Sequence, residues 1–472
     1  MVKVHVVIGG SHAGKTSFVV NSFIGDSEMT EFKEDVLITE TDKYYLIGPY
    51  DSIDERTKGT DRVSRADIPK IYNQVVKLAE RNDKDVVVEG DKITSRPFMN
   101  TLLDAGLDVN LYWIRCSQKT SVDRNMKAGS TSKPSQLRGV VTKAKNLFNE
   151  YKVICESYIA DSDDVEDFSK FDMSYAKKVE YEQSSIRDDF AVFILTHGRA
   201  ENVITINTLR KAGYTGKIYL VIDNEDEQGD LYREKYGEDM VLVFDKMKYL
   251  KMTDTADSND DTRGVVMARN ASFDLAKDLG LTWFAEYDDD YDSMSFRYEI
   301  EGDHDFGLKQ VPMVNANAIF EAMITFLDDT NSDTIAMAQG GDFIGGTNSN
   351  VWKTGLSRKA MNTFIFRADS DIRFMGRINE DVNMYVTYGN KGRLIWTIAD
   401  IMVNQKPTQQ NERGLTDIYK ALGTYVKSFY SVIYAPQAVT VNSMGETSRR
   451  LHHRVSWNNT TPKILNQKHR KE

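Results

Sequence analysis

The run Trp283-Phe284-Ala285-Glu286-Tyr287-Asp288-Asp289-Asp290 joins an apolar, aromatic stretch to three consecutive carboxylates. The apolar half reads as a buried strand, so the acids stand where that strand leaves its sheet. Three adjacent carboxylates repel one another, and burying them without a cation costs several kcal/mol or more. A hard divalent cation relieves that repulsion and holds a diphosphate at the same time. A solvated acidic loop is the plain alternative.

Outward from this run, the flanking sequence alternates between strand and helix. Residues 190–195 are an apolar strand ending in Thr196-His197-Gly198-Arg199, with a helix expected over 202–212. Residues 217–222 repeat the pattern and end in Asp223, Glu225 and Asp226. A strand over 240–244 and a helix from Arg269-Asn270 to Leu279 lead into the opening run. Strand–helix–strand with functional groups at strand C-termini is the nucleotide-binding α/β plan.

The start of the chain repeats that plan. Residues 2–9 form a strand ending in glycine, and Gly9-Gly10-Ser11-His12-Ala13-Gly14-Lys15-Thr16 matches G-x-x-x-x-G-K-[ST]. Its glycines let backbone N–H groups wrap a phosphate, and the N-terminus of the helix expected over 17–23 adds partial positive charge. Lys15 would bridge the outer phosphates of ATP, and the Thr16 hydroxyl would ligate Mg²⁺. Residues 85–89 form a second short strand ending in Glu89, where an acid orients Mg²⁺ or its water; an ordinary strand-end glutamate is the alternative. Arg124 and Lys127 lie in a segment that reads as a lid helix, with surface solvation the plain alternative.

Two family resemblances follow from longer motifs. Leu46-Ile47-Gly48-Pro49-Tyr50, Gly59-Thr60-Asp61-Arg62-Val63-Ser64 and the segment from Leu137-Arg138-Gly139 to Lys143, Lys145, Asn146 and Phe148 join the phosphate loop. Together they make residues 1–155 resemble the P-loop DNA kinases of bacteriophages, which phosphorylate hydroxymethyl-pyrimidine bases. That resemblance implies Asp61 as acceptor of the hydroxyl proton. A salt bridge to Arg62 or a turn cap accounts for Asp61 equally well.

In the second half, Thr-His-Gly-Arg, Asp223, Ala268-Arg269-Asn270, the three aspartates and Asn379-Glu380-Asp381 occur in order. Gly340-Gly341-Asp342, the segment from Gln409 to Lys420, and residues 451–464 follow the same pattern. This order resembles the GT-A glycosyltransferases, more narrowly the TET-associated glycosyltransferases of phages. The resemblance implies a nucleotide-sugar donor and a divalent metal, Mg²⁺ or Mn²⁺, held by Asp288 and Asp290, with His453 closing the metal site. It implies that Asp223 hydrogen-bonds the donor base, that His197 and Arg199 line the nucleotide pocket, and that Arg269 pairs with the diphosphate. Inverting transfer needs a base, and Asp381 of the Glu380-Asp381 pair is expected to supply it. For Glu380-Asp381 a mere complement to the helix dipole is the alternative, for His453 a place on the surface, and for the other residues a structural salt bridge.

Composition sets the frame. At 472 residues two domains are the default. The expectation is an α/β protein: a P-loop NTPase/kinase fold over 1–157, an acidic connector over 158–189, and a GT-A, Rossmann-like fold over 190–472. The connector follows from ten Asp/Glu against four Lys/Arg in residues 159–190. No apolar run is long enough for a membrane span, and two cysteines fit a reducing cytoplasm. The net charge of −11 argues against non-specific coating of nucleic acid. Residues 443–472 nevertheless carry seven Lys/Arg against two Glu, a tail expected to touch DNA phosphates or simply to be solvated. Trp352 and Trp457 are placed either to stack an extruded base or in a core.

The expected function is therefore a bifunctional enzyme acting on DNA, phosphorylating a hydroxymethyl-pyrimidine with ATP and transferring a sugar to a modified base. A protein or polysaccharide glycosyltransferase with a regulatory nucleotide-binding domain, or a non-enzymatic ATP-dependent scaffold, are the competing readings.

Overall fold

The computed structural model describes residues 2–50, 59–60, 65–129, 132–180, 184–257, 263–298, 308–343, 347, 359–405, 426–444 and 450–470. The chain divides into two compact units, Met1–Gln183 and Ser184–Glu472. Both are mixed α/β.

The first unit is built on an eight-stranded sheet. Its strands are β1 (Lys3–Gly9), β2 (Thr30–Lys33), β3 (Leu37–Glu40), β4 (Tyr44–Ile47), β5 (Asp85–Glu89), β6 (Asp108–Arg115), β7 (Glu156–Asp161) and β8 (Ala176–Lys178). They lie in the order β2-β3-β4-β5-β1-β6-β7-β8, and β4, β5, β1, β6 and β7 run parallel. Alternate residues of β1 enter opposite cores, Val4, Val6 and Ile8 on one face and Val7 on the other. Burial on both faces is why its second half, Val6-Val7-Ile8, reads as an apolar run without alternation. After the glycine loop, helix Lys15–Val19 passes into a π-helical turn, Val20–Ile24.

Residues 158–178, expected in an acidic connector, belong to this sheet. β8 pairs antiparallel with β7 at its edge. Between them Phe171 is fully buried and packs 5.7 Å from the Phe18 ring, while the Asn21 side chain donates to the carbonyls of Phe168 and Phe171. Regional charge hid this, because the few aromatic side chains that anchor the segment are scattered among the acids.

The second unit carries a nine-stranded sheet. Its strands are β9 (Phe190–Leu195), β10 (Lys217–Asp223), β11 (Val241–Phe244), β12 (Trp283–Asp288), β13 (Tyr291–Tyr298), β14 (Lys309–Pro312), β15 (Thr334–Gln339), β16 (Thr363–Arg367) and β17 (Ile395–Gln405). The order is β11-β10-β9-β12-β16-β15-β17-β13-β14. β9, β10, β11 and β12 are mutually parallel, with Asp288 beside Leu195 and Leu195 beside Val221. β16 runs antiparallel to both β12 and β15, so β12 and β15 end at the same edge. A hairpin of β18 (Val439–Met444) and β19 (Arg450–Val455) completes the unit. Again both faces of the sheet are buried: Val192 and Ile194 face one core, Ala191 and Phe193 the other. Among the described residues no helix is long and apolar enough to cross a membrane.

Candidate active site

The register of β9, β10 and β12 brings three strand ends to one edge, and the polar residues that follow each strand gather there. Each of the three aspartates has a different place. Asp289 turns inward: its carboxylate accepts from Thr196 Oγ1 at 2.7 Å and pairs with Arg199 Nη1 at 2.8 Å. Asp288 is half-buried and meets Arg269 Nη2 at 3.1 Å. Asp290 is buried beside them.

Arg269 organises this edge. It projects from helix Val266–Asp278, is 1% exposed, and has Phe364 and Phe374 against its guanidinium. Its Nε lies 3.0 Å from Glu380 Oε1, Nη1 3.4 Å from Glu286 Oε2, and Nη2 also reaches Asn362 Oδ1 at 3.3 Å. The expected partner of Arg269 was a diphosphate. The structure gives it three carboxylates instead, so its donors are committed within the protein and its role is to hold Asp288, Glu286 and Glu380 around one cation.

One arginine cannot neutralise that many acids. Burial pushes the Glu286 carboxyl up to about 8, with Arg269 pulling it back only part way. Burial, with the charges of Asp290, Glu380 and Asp289 adding to it, raises Asp288 to about 7. Asp381, 5% exposed, is raised to about 6 by burial and then by the charge of Glu380, against the Val382 backbone N–H, Arg269 and Lys359. Its Oδ2 and Glu286 Oε1 are buried with no hydrogen-bond partner among the described residues. Buried acids whose proton affinities rise toward neutrality are the state expected where charge is kept for a ligand.

Glu380 and Asp381 open helix Glu380–Asn390 after Asn379, which adopts a left-handed conformation, φ 57°. The Asn379 side chain reaches Ser431 Oγ at 3.3 Å and His453 Nδ1 at 3.4 Å. β19 therefore sets His453 beside the Glu-Asp pair. Among the described residues no three His, Cys, Asp or Glu side chains close on one point as a metal cage. His453 is thus placed by Asn379 and is not gathered with Asp288 and Asp290 into a ready-made site. The carboxylate cluster itself fits a divalent cation: Glu286, Asp288 and Glu380 share Arg269, Asp381 follows Glu380, and the second arginine, Arg199, pairs with Asp289.

At the neighbouring strand end, Asp223 is buried, 2.8 Å from His197 Nδ1 and 3.3 Å from Lys246 Nζ. Burial alone would raise the Asp223 carboxyl, but His197 and Lys246 outweigh it and hold it below its ordinary value. The hydrogen bond to Asp223 raises His197 in turn. Asp226 pins the turn by accepting from the Gly198 N–H at 2.8 Å. Glu286, Lys246, Asn362 and Lys359 were not expected, and Asp226 was read only as one of the acids that end its strand. For Glu286 a signal existed, since a lone carboxylate inside an apolar strand needs a buried partner. For the rest none did.

Asp342 follows β15 at the same edge, where it accepts from the Gln339 N–H and lies 3.7 Å from Lys359 Nζ. Trp457 stacks on Tyr385 within the protein, 5.8 Å between centroids. Trp352 and the segment from Gln409 to Lys420 lie outside the described residues.

The basic tail sits elsewhere. Asp333, just before β15 and therefore at the opposite edge, is fully enclosed by Arg393, by Lys468 Nζ at 2.7 Å and by His469 Nε2 at 3.2 Å. Arg393 and Lys468 also pair with Asp371, and His469 Nδ1 meets the Asn331 carbonyl at 2.7 Å. Lys468 was expected either to touch DNA phosphates or to be solvated; here it is a clasp that fastens the tail to the sheet. Arg470 is exposed, and Arg449 and Lys471 lie outside the described residues.

In the first unit, the glycine loop holds Lys15 nearly buried, with Nζ 3.1 Å from the Gly10 carbonyl and 2.9 Å from Asp91 Oδ1. Gly9 is packed so closely that an added Cβ would come within 2.6 Å of the Ile114 carbonyl, and Gly14, at φ +93°, lies under the Phe168 ring. Thr16 is half-buried at the loop's end. Arg124, expected as a lid cation, stacks 4.8 Å over Phe168 and donates to the carbonyls of Ser162, Asp163 and Val165. Asp61 lies outside the described residues.

Solved structures with a similar trace include glucosyl-3-phosphoglycerate synthase from Mycobacterium tuberculosis with Mg²⁺ and uridine diphosphate. It is 9% identical with TM-score 0.30 and covers 58% of this chain and 90% of that one. The same enzyme with Mn²⁺ and UDP-glucose is 9% identical with TM-score 0.31, covering 58% and 89%. No curated protein matches the chain. Residues 190–414, from the first strand of the second unit past the Glu380-Asp381 pair, match the family model described as TET-Associated Glycosyltransferase.

Proposed function

We propose that the second unit transfers a sugar from a nucleotide-sugar donor to a modified base in DNA. The observation that carries this reading is the under-compensated carboxylate edge, in which Arg269 ties Asp288 to Glu380-Asp381 within the span matched by the glycosyltransferase family. Asp288 and Asp290 are the residues that would hold a divalent cation, which supplies charge neutralisation for the leaving diphosphate. His197 and Asp223 form the nucleotide-facing pair at the adjacent strand end, and Lys246 keeps Asp223 ionised.

Asp381 is the base. The acceptor hydroxyl attacks the anomeric carbon as the bond to the diphosphate breaks, and its proton passes to Asp381. Asp381 suits this work because burial and Glu380 raise its proton affinity, while Glu380 is itself anchored by Arg269. A general base near the working pH combines the ionised state with useful driving force.

The phosphate loop supports a second activity, ATP-dependent phosphorylation of a hydroxymethyl-pyrimidine by the first unit. Lys15 is the specific observation: a nearly buried ammonium turned into a glycine-lined loop. DNA as acceptor of both reactions follows from the family description and from the phage-kinase resemblance. Mass spectrometry of hydroxymethylated DNA incubated with ATP and a panel of nucleotide sugars tests both halves. The expected products carry a phosphate or a hexose mass. Unchanged DNA, with label appearing on protein or polysaccharide, would overturn the acceptor assignment.

A further inference from the structure

Glu89 is the acid expected beside the nucleotide in the first unit, yet the fold seals it. It is 2% exposed, and its Oε1 accepts from the Tyr50 hydroxyl at 3.2 Å. Thr60 Oγ1 donates to its carbonyl at 2.5 Å. Gly59 approaches so closely that an added Cβ would stand 2.8 Å from Glu89 Oε1.

Asp91, two residues beyond β5, faces the loop instead. Its Oδ1 lies 2.9 Å from Lys15 Nζ, and its Oδ2 accepts from Ser11 Oγ at 2.9 Å. Lys143 reaches its carbonyl at 3.4 Å. The Asp91 side chain is 29% exposed against 6% for Lys15, so the carboxylate is the open side of the pair.

We propose that Asp91, rather than Glu89, is the working acid of this phosphate site. It holds Lys15 while the loop is empty, yields the lysine to the outer phosphates of ATP, and then faces the magnesium–triphosphate complex. The proposal rests on the phosphate-loop reading above. It carries a sign that a purely structural residue lacks. Without Mg²⁺ the Asp91 carboxylate competes for Lys15 and repels the triphosphate, so it opposes binding. With Mg²⁺ present the same charge favours binding.

The test is calorimetric titration of ATP into the full chain, in EDTA and in Mg²⁺, for wild type, Asp91→Asn and Asp91→Glu. Asp91→Asn is expected to bind ATP about fivefold tighter in EDTA, the scale of one partly exposed ion pair. Its gain on adding Mg²⁺ should shrink correspondingly. Asp91→Glu, which keeps the charge, should retain the wild-type direction of the Mg²⁺ effect. Equal or weaker EDTA binding by Asp91→Asn overturns the proposal and leaves Asp91 a support for Ser11. If wild type binds no ATP in either buffer, the phosphate-loop reading falls and this proposal with it. If wild type binds and Asp91→Asn matches it in both buffers, only the Asp91 assignment falls.

Discussion

At the N-terminal end of β15, two aspartates, Asp333 and Asp371, are met by Arg393, Lys468 and the imidazole of His469. At the C-terminal ends of β12 and its neighbours, three acids, Glu286, Asp288 and Glu380, share Arg269, with Asp381 next to them. Both clusters have a buried centre, Asp333 with Arg393 in one and Arg269 with Glu286 and Glu380 in the other, and both combine carboxylates with arginine. They differ in balance. Where every acid has a cation, the cluster fastens the tail to the sheet and leaves nothing for a ligand. Where acids outnumber cations, the protein holds repulsion that a substrate or metal can relieve, which is how a binding site differs from a brace.

The largest effect expected from this contrast is on catalysis. Asp381→Asn keeps size and hydrogen-bonding capacity but takes no proton near neutrality, so single-turnover sugar transfer should fall by about 10²–10⁴. Donor affinity, measured by titration, should stay close to wild type, because the proposed nucleotide contacts are at Asp223, His197 and the Asp288 edge. Transfer at the wild-type rate would place the base elsewhere. The pH profile supplies an independent check. Asp381 must be ionised to act, so transfer should decline as pH falls through about 6.

The opposite edge should respond in stability. Asp333→Asn leaves the buried Arg393 with only the exposed Asp371 as counter-charge, a loss of about 3–5 kcal/mol by urea unfolding. Transfer per folded molecule should not change. A loss below about 1 kcal/mol would mean the clasp is not a closed ion cluster in solution.

A smaller effect concerns the tail and DNA. Lys468→Met should cost about 1 kcal/mol of stability while leaving the slope of log DNA affinity against log salt unaltered, because Lys468 is already paired. A slope reduced by about one would return Lys468 to the DNA interface.

Much of the catalytic edge was legible before any coordinates. The strand runs over 190–195, 217–222 and 283–288 and the polar residues that follow them could be read because each strand is buried on both faces and stops in polar or charged residues. The helix start at Glu380-Asp381 could be read as well, since two acids there complement the helix dipole. What could not be read was partnership. Arg269 looked like a ligand for an anion, since nothing in one dimension shows that Glu286, Asp288 and Glu380 converge on it. Lys468 read as a phosphate contact or a solvated side chain because Asp333, Asp371 and Arg393 lie far back along the chain. Asp91 was overlooked beside Glu89 because only the turn after β5 decides which acid faces the loop. Regional charge misled for residues 158–178, where a few aromatic anchors outweigh many acids.

The central claim is that charge imbalance marks the transferase edge and charge balance marks the brace. The same Asp→Asn change should therefore move stability in opposite directions at the two places. Asp381 has a folded pKa raised to about 6 above an ordinary value near 3.8, so its neutral form favours the fold. That contribution is fully present below about pH 4 and is lost as pH rises through about 6. At pH 8 wild type lacks it, and Asp381→Asn, neutral at every pH, recovers roughly 1–3 kcal/mol. Urea unfolding of wild type, Asp381→Asn and Asp333→Asn side by side at pH 8 is the direct measurement. The account predicts Asp381→Asn more stable than wild type and Asp333→Asn less stable. Destabilisation by both, or stabilisation by Asp333→Asn, would contradict it.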